Sequence, residues 1–181
     1  MSRRMECLYV VALLACACAS SEYPTRGKHG AHASADNLAT AKLEQLKSLE
    51  GEWTIATAAE MPQGGTVNYS TVSGGSVVME ELFPGTPHSM VSMYHLEDGH
   101  LTMTHYCSLG NQPKMVAAPG GSPAKLRFSC VGGPSYDCKR DMHMHSAEFD
   151  FLPDGSVQAR WASLEGGKPS HGATFDLKRK F

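Results

Sequence analysis

Three histidines are spaced so that they could do chemistry: His105, and the pair His143 and His145. An imidazole can ligate a metal or haem iron, move a proton, or hydrogen-bond a ligand. On extended backbone, residues two apart share a face. In 101–107, Leu101 and Met103 mark an inner face that also carries His105, with Thr102, Thr104 and Tyr106 outside. In 142–151, Glu148 and Asp150 mark the water side. Ala147, Phe149 and Phe151 then face inward, and His143 and His145 join them if no bulge intervenes. In 158–163, Gln158 and Arg160 face water and put Trp161 and Ser163 inside. His88, Asn111 and Gln112 fall on turns that could frame the mouth of an interior. The predicted ligand-binding set is therefore His105, His143, His145, Trp161, Ser163 and His88. The alternative metal- or haem-binding set is His105, His143 and His145. A buried histidine can equally be hydrogen-bonded within a core, and inward position alone does not separate these roles.

Other chemistry is thinner. Met142-His143-Met144-His145 has the composition of a copper motif. Alternation, however, points both methionines away from both histidines, so the four cannot converge on one ion. Glu80 and Glu81 are adjacent and face opposite sides, which rules out a carboxylate pair. Glu81 shares parity with Val77 and Met79, and both acids are read as surface charges at a strand end. Cys107 lies two residues from His105 but has no third orienting group, so a buried thiol or a disulfide accounts for it. There is no Gly-x-Ser-x-Gly elbow, no His-Glu-x-x-His and no phosphate-binding glycine loop. No catalytic residue and no cofactor is assigned, with haem or a transition metal as the alternative. The formal net charge of -2 gives no basic field for nucleic acid. Lys125, Arg127 and Lys178-Arg179-Lys180 read as a solvated face.

The elements that must position these residues are legible in the hydrophobic period. Residues 36–48 carry Leu38, Ala41 and Leu46 at helical spacing, which Leu49 continues, with Ser34 or Asp36 to cap the start and Gly51 after the end. From Glu52 the period becomes two. Val67-Tyr69, Val77-Met79, Leu126-Phe128, Phe149-Phe151, Val157-Trp161 and Phe175-Leu177 alternate with polar neighbours. Gly74-Gly75, Asp98-Gly99, Asp154-Gly155 and Gly166-Gly167 separate strand-like runs as hairpin turns do. The fold class is all-β: an antiparallel up-and-down β-barrel of about eight to ten strands preceded by one short α-helix. A β-sandwich is the competing arrangement, and hairpin connections throughout favour the barrel. A chain of 181 residues, 41% hydrophobic, suits one domain with a real core.

The N-terminus reads as an address. Arg3 and Arg4 precede an apolar run over 8–19 that is too short to span a bilayer. Leu13-Leu14-Ala15-Cys16 fits a lipobox, with Cys16 lipidated, whereas Ala17-Cys18-Ala19 fits an ordinary cleavage site. Both export the protein, as a periplasmic or outer-membrane lipoprotein in the first case, with a lipid anchor as its membrane contact. The domain boundaries are a signal region at 1–19, a polar tether at 20–34 containing His29 and His32, and the barrel at 35–181. Export makes a disulfide between Cys130 and Cys138 permissible, with Cys107–Cys130 equally legal.

Leu49-Glu50-Gly51-Glu52-Trp53 places Gly-x-Trp after a short helix and at the first strand. This resembles the start of calycin-type barrels, the lipocalin and fatty-acid-binding group, in which the tryptophan closes the barrel bottom. Phe83-Pro84-Gly85-Thr86-Pro87-His88, Met93-Tyr94-His95-Leu96, Thr104-His105-Tyr106-Cys107 and Gly110-Asn111-Gln112-Pro113 add to the likeness. Together they resemble an uncharacterised bacterial family of lipocalin-like domains, often exported, over about 38–181. The resemblance implies the barrel and a structural role for Trp53. The nitric-oxide-binding haem barrels are a more distant likeness, and Thr54-Ile55-Ala56-Thr57 stands where their glycine-rich first strand would be. The function expected is an exported, lipid-anchored barrel holding a small apolar or amphipathic ligand. The alternatives are a haem or metal barrel and an envelope interaction domain with a filled interior.

Overall fold

The computed structural model describes residues 30–56 and 64–181, with side chains from residue 36. The signal region, Cys16, His29 and the tether before residue 30 lie outside the described residues. Helix α1 spans Gly30–Lys47, and ten strands follow. They are β1 (Gly51–Ile55), β2 (Gly65–Val72), β3 (Val77–Leu82), β4 (Met90–Glu97) and β5 (His100–Tyr106). The second half is β6 (Lys114–Ala117), β7 (Lys125–Gly132), β8 (His143–Phe151), β9 (Val157–Glu165) and β10 (Lys168–Arg179). Each strand pairs antiparallel with the next, and β1 pairs with β10, closing the barrel. The expected architecture is the observed one, and closure leaves no free sheet edge. The four turn dipeptides all fall at hairpins.

The helix starts at Gly30 rather than near Asp36, so Ser34 and Asp36 lie within it and not at its cap. Ala31, Ala33 and Ala35 give this stretch high helix propensity without any apolar stripe, which is why hydrophobic period alone placed the start too late. The helix covers one end of the barrel. Leu43, Leu46 and Leu49 are buried in the common core. Lys42 is buried too and donates from Nζ to the carbonyls of Ala118 (2.5 Å) and Gly120 (2.9 Å) on the β6–β7 loop.

The Gly-x-Trp pattern has a physical reason at this end. Trp53 is 2% exposed and donates its Nε1–H to the Leu49 carbonyl at 2.6 Å. The Arg179 guanidinium lies 4.7 Å from its ring centroid and donates to the carbonyls of Ser48 (2.7 Å) and Glu50 (2.6 Å). Arg179 thus satisfies carbonyls left open beyond the end of α1. Gly51 sits at φ +123°, and a Cβ there would meet the guanidinium at 3.0 Å. Only glycine suits both constraints. Arg179 is exposed, as expected of a solvated charge, and also clasps helix, first strand and last strand.

Tyr94, Phe128 and Phe149 fill the barrel's middle, with ring centroids 5.7 to 6.2 Å apart, and Trp161 packs on Phe149 at 6.0 Å. Outside, Glu148, Asp150, Gln158 and Arg160 face water as their alternation predicts. Arg127 and Arg160 pair there with Asp150 at 2.8 and 2.6 Å. β3 departs from expectation: Val78, Glu80 and Leu82 are buried and Val77, Met79 and Glu81 are not.

Candidate functional site

Because the strands alternate in direction, connections fall alternately at the two ends. Those at β2–β3, β4–β5, β6–β7 and β8–β9 lie at the helix end. The β3–β4, β5–β6, β7–β8 and β9–β10 connections lie at the other, and the predicted histidines gather there.

Glu80 is a buried carboxylate, 1% exposed. It accepts hydrogen bonds from the hydroxyls of Tyr69 (2.6 Å) and Tyr94 (2.7 Å). Burial pushes its carboxyl above the ordinary range, while the hydroxyls of Tyr69, Tyr94 and Ser92 oppose the shift. Burial, and then the Glu80 charge, pushes both tyrosines well up. Sequence reasoning put Glu80 on the surface. In Val77-Val78-Met79-Glu80-Glu81-Leu82 both parities are apolar, and only the Val78, Leu82 parity would have found it.

Ser92 links Glu80 to His105, which is 1% exposed, with Ser92 Oγ 3.0 Å from His105 Nδ1. The Ser92 hydroxyl can donate or accept, so this contact fits either neutral tautomer of His105, whose second ring nitrogen is Nε2. That Nε2 is buried and has no partner. Burial lowers the imidazole pKa to about 4, so the ring is neutral at physiological pH. The ring of Trp161 lies 4.9 Å away, and its Nε1 is also buried and unpartnered. An imidazole nitrogen and an indole N–H are thus held close together without protein partners.

His143 and His145 stand on the neighbouring part of the rim with Cys130. One donor atom from each of these three residues lies within 4.8 Å of the other two. His143 is 1% exposed, and its Nδ1 lies 3.0 Å from the Asp141 carbonyl. A carbonyl only accepts, so Nδ1 carries the hydrogen and Nε2 is a lone pair, again buried and unpartnered. His145 Nδ1 is likewise unpartnered. Burial, then the His143 charge, lowers the His145 pKa. Tyr136 stacks on His143 at 4.9 Å and its hydroxyl lies 3.0 Å from Cys130 Sγ. Burial, then the contact with Cys130, raises the Tyr136 pKa.

The register shifts on both strands that carry these groups. Cys130 pairs with Met115 and Gly132 with Lys114, leaving Val131 as the extra residue. On β8, Met144 pairs with Ser163 and Ser146 with Ala162, leaving His145 extra. Alternation therefore does not carry through His145. Met144, expected on the outer face, is half-buried against the core. Bulges re-aim side chains at strand ends, and nothing in the residue types announced these two.

The remaining predicted residues have other surroundings. Ser163 Oγ donates to the His171 carbonyl and accepts from the His171 N–H, both at 3.0 Å, across a register shift in β10. His88 is exposed and lines a cavity of about 420 Å³ with Gly64, Gly65, Thr66, Phe83, Pro84 and Thr86. His105 is outside the compact group of donors, so the structure replaces it there with Cys130. Cys107, Cys130 and Cys138 are all free thiols, and the Cys130–Cys138 bridge is not formed. Asn111 donates from Nδ2 to the Met142 carbonyl at 2.8 Å, tying the β5–β6 loop to the start of β8.

No protein-family model matches the chain, and no curated protein gives a match.

Proposed function

We propose that this protein is an exported, lipid-anchored barrel that binds a small amphipathic molecule at its loop end. The observation that carries the reading is the pair of unpartnered buried nitrogens, His105 Nε2 and Trp161 Nε1. A buried polar group left unpaired costs about 1–3 kcal/mol, and a ligand with one polar group for each nitrogen would recover that cost twice. The filled middle of the barrel favours a site near the loop end over a deep channel. At the same end, the cavity lined by Phe83, Pro84 and His88 is large enough, at about 420 Å³, for the apolar part of a small ligand. Membership of the calycin-type lipocalin-like group fits the closed barrel and the role of Trp53.

An anilinonaphthalene sulfonate dye, itself amphipathic, tests the reading. It should bind one per chain and quench Trp161. Binding should weaken at least about tenfold, roughly one hydrogen bond's worth, in both Trp161→Phe and His105→Ala. Trp161→Phe keeps the ring bulk and should stay folded, so it decides the matter if His105→Ala does not fold. Absence of binding, or equal affinity in Trp161→Phe, would overturn the proposal. For the anchor, Cys16→Ser should move the protein from the membrane fraction to the soluble one. Retention in the membrane would remove the lipoprotein reading.

A further inference from the structure

We propose that Cys130, His143 and His145 form a binding site for one divalent cation of borderline softness, zinc being the type. This site stands apart from the His105–Trp161 reading, and either can fail without the other.

Three independent features converge. The donors are one thiol sulfur and two imidazole nitrogens, a set that suits zinc and its neighbours rather than magnesium or calcium. Their ligand atoms lie within 4.8 Å of one another. Zinc bonds of about 2.0–2.3 Å place tetrahedral ligands about 3.3–3.6 Å apart, so side-chain rotations that draw the atoms together by about 1 Å would close the site.

Second, the imidazoles are prepared for coordination. His143 is almost wholly buried, its Nδ1–H is committed to the Asp141 carbonyl, and its Nε2 lone pair has no partner. A histidine fixed through one nitrogen to a carbonyl, with the other left bare, has the orientation that metal-ligating histidines show. His145 Nδ1 has no partner either. Simple core packing does not explain two unpartnered imidazole nitrogens beside a thiol.

Third, the backbone is reshaped at this place. The extra residues, Val131 and His145, sit one beside Cys130 and one within the donor set itself. Tyr136 reaches from the β7–β8 loop to cover His143 and contacts Cys130 Sγ. On binding, the Cys130 thiol would lose its proton to solvent and the Tyr136 hydroxyl would donate to the resulting thiolate. Three protein donors leave a fourth position for water or a small ligand.

Cobalt(II) and zinc(II) alone are the probes, added to the reduced protein. Cobalt should bind one per chain, with d–d absorption of tetrahedral strength and a thiolate-to-cobalt charge-transfer band. Zinc in equal amount should displace it. Cys130→Ser should abolish the charge-transfer band. His145→Gln and His143→Gln should each weaken cobalt binding about 100-fold, at or beyond what loss of an outer-shell partner costs. His100→Ala should leave cobalt binding unchanged. His145 is half-exposed, so its variant should remain folded even if the His143 variant does not. The proposal is overturned if wild type shows no charge-transfer band, if the band survives in Cys130→Ser, or if His145→Gln binds cobalt as wild type does.

Discussion

Replacing Trp53 with alanine should destabilise the fold by about 3–5 kcal/mol. The indole is 2% exposed, meets Tyr69 edge-on at 6.5 Å and lies under the Arg179 guanidinium. Its removal opens a cavity between the helix and the first strand. It also leaves the Leu49 carbonyl without its donor and Arg179 without its ring. These losses fall on the one junction where α1, β1 and β10 meet, so relaxation cannot easily fill the gap. Trp53→Phe should cost less, because ring bulk survives and the 2.6 Å hydrogen bond to Leu49 is the main loss. Urea denaturation measures both. A change below about 1 kcal/mol in Trp53→Ala would remove this residue from the core that positions the barrel.

His105 should make the protein sensitive to acid. Burial lowers its folded-state pKa from 6.5 to about 4. The folded state therefore resists protonation, while the unfolded chain accepts it. The contribution is fully present above pH 6.5 and is lost as pH falls towards 4. A shift of this size is worth about 3 kcal/mol. Glu80 acts in the opposite sense. Its carboxyl is raised by burial, so its contribution is present below pH 4.5 and is lost as pH rises through its folded-state value. The two are separable by substitution. Between pH 7 and pH 4, wild type should lose about 3 kcal/mol more than His105→Gln, which keeps a partner for Ser92 but does not titrate. In Glu80→Gln the loss of stability with rising pH should disappear. Parallel pH profiles for wild type and His105→Gln would show that His105 is open to solvent.

How much of this was legible depended on where charge broke the symmetry of a strand. In β8 and β9, Glu148, Asp150, Gln158 and Arg160 mark one face as wet, and Phe149, Trp161 and Ser163 are buried as alternation requires. The hairpin dipeptides placed the turns, and their regularity carried the barrel. β3 has no such marker, because Val77 and Val78 offer either face to the core, and the interior carboxylate of Glu80 went unseen. The association of Cys130 with His143 and His145 is set by β7–β8 pairing and by two extra residues, which are properties of register and not of residue type. Tyr136 joins them only through the fold of its loop. Arg179 is exposed, as a charged terminal run normally is, and what local reading misses is its second role. Its stack on Trp53 depends on the space left by Gly51, a contact between residues 126 positions apart that local reading does not reach.

The central claim is that the loop end of the barrel is a binding site. Native mass spectrometry of the protein from its own host, beside its Trp161→Phe variant, tests this most directly. The account predicts a bound organic mass at one per wild-type chain and its loss from a variant that melts at the same temperature. A bare mass for both proteins would contradict it, and the buried nitrogens of His105 and Trp161 would then be features of packing alone.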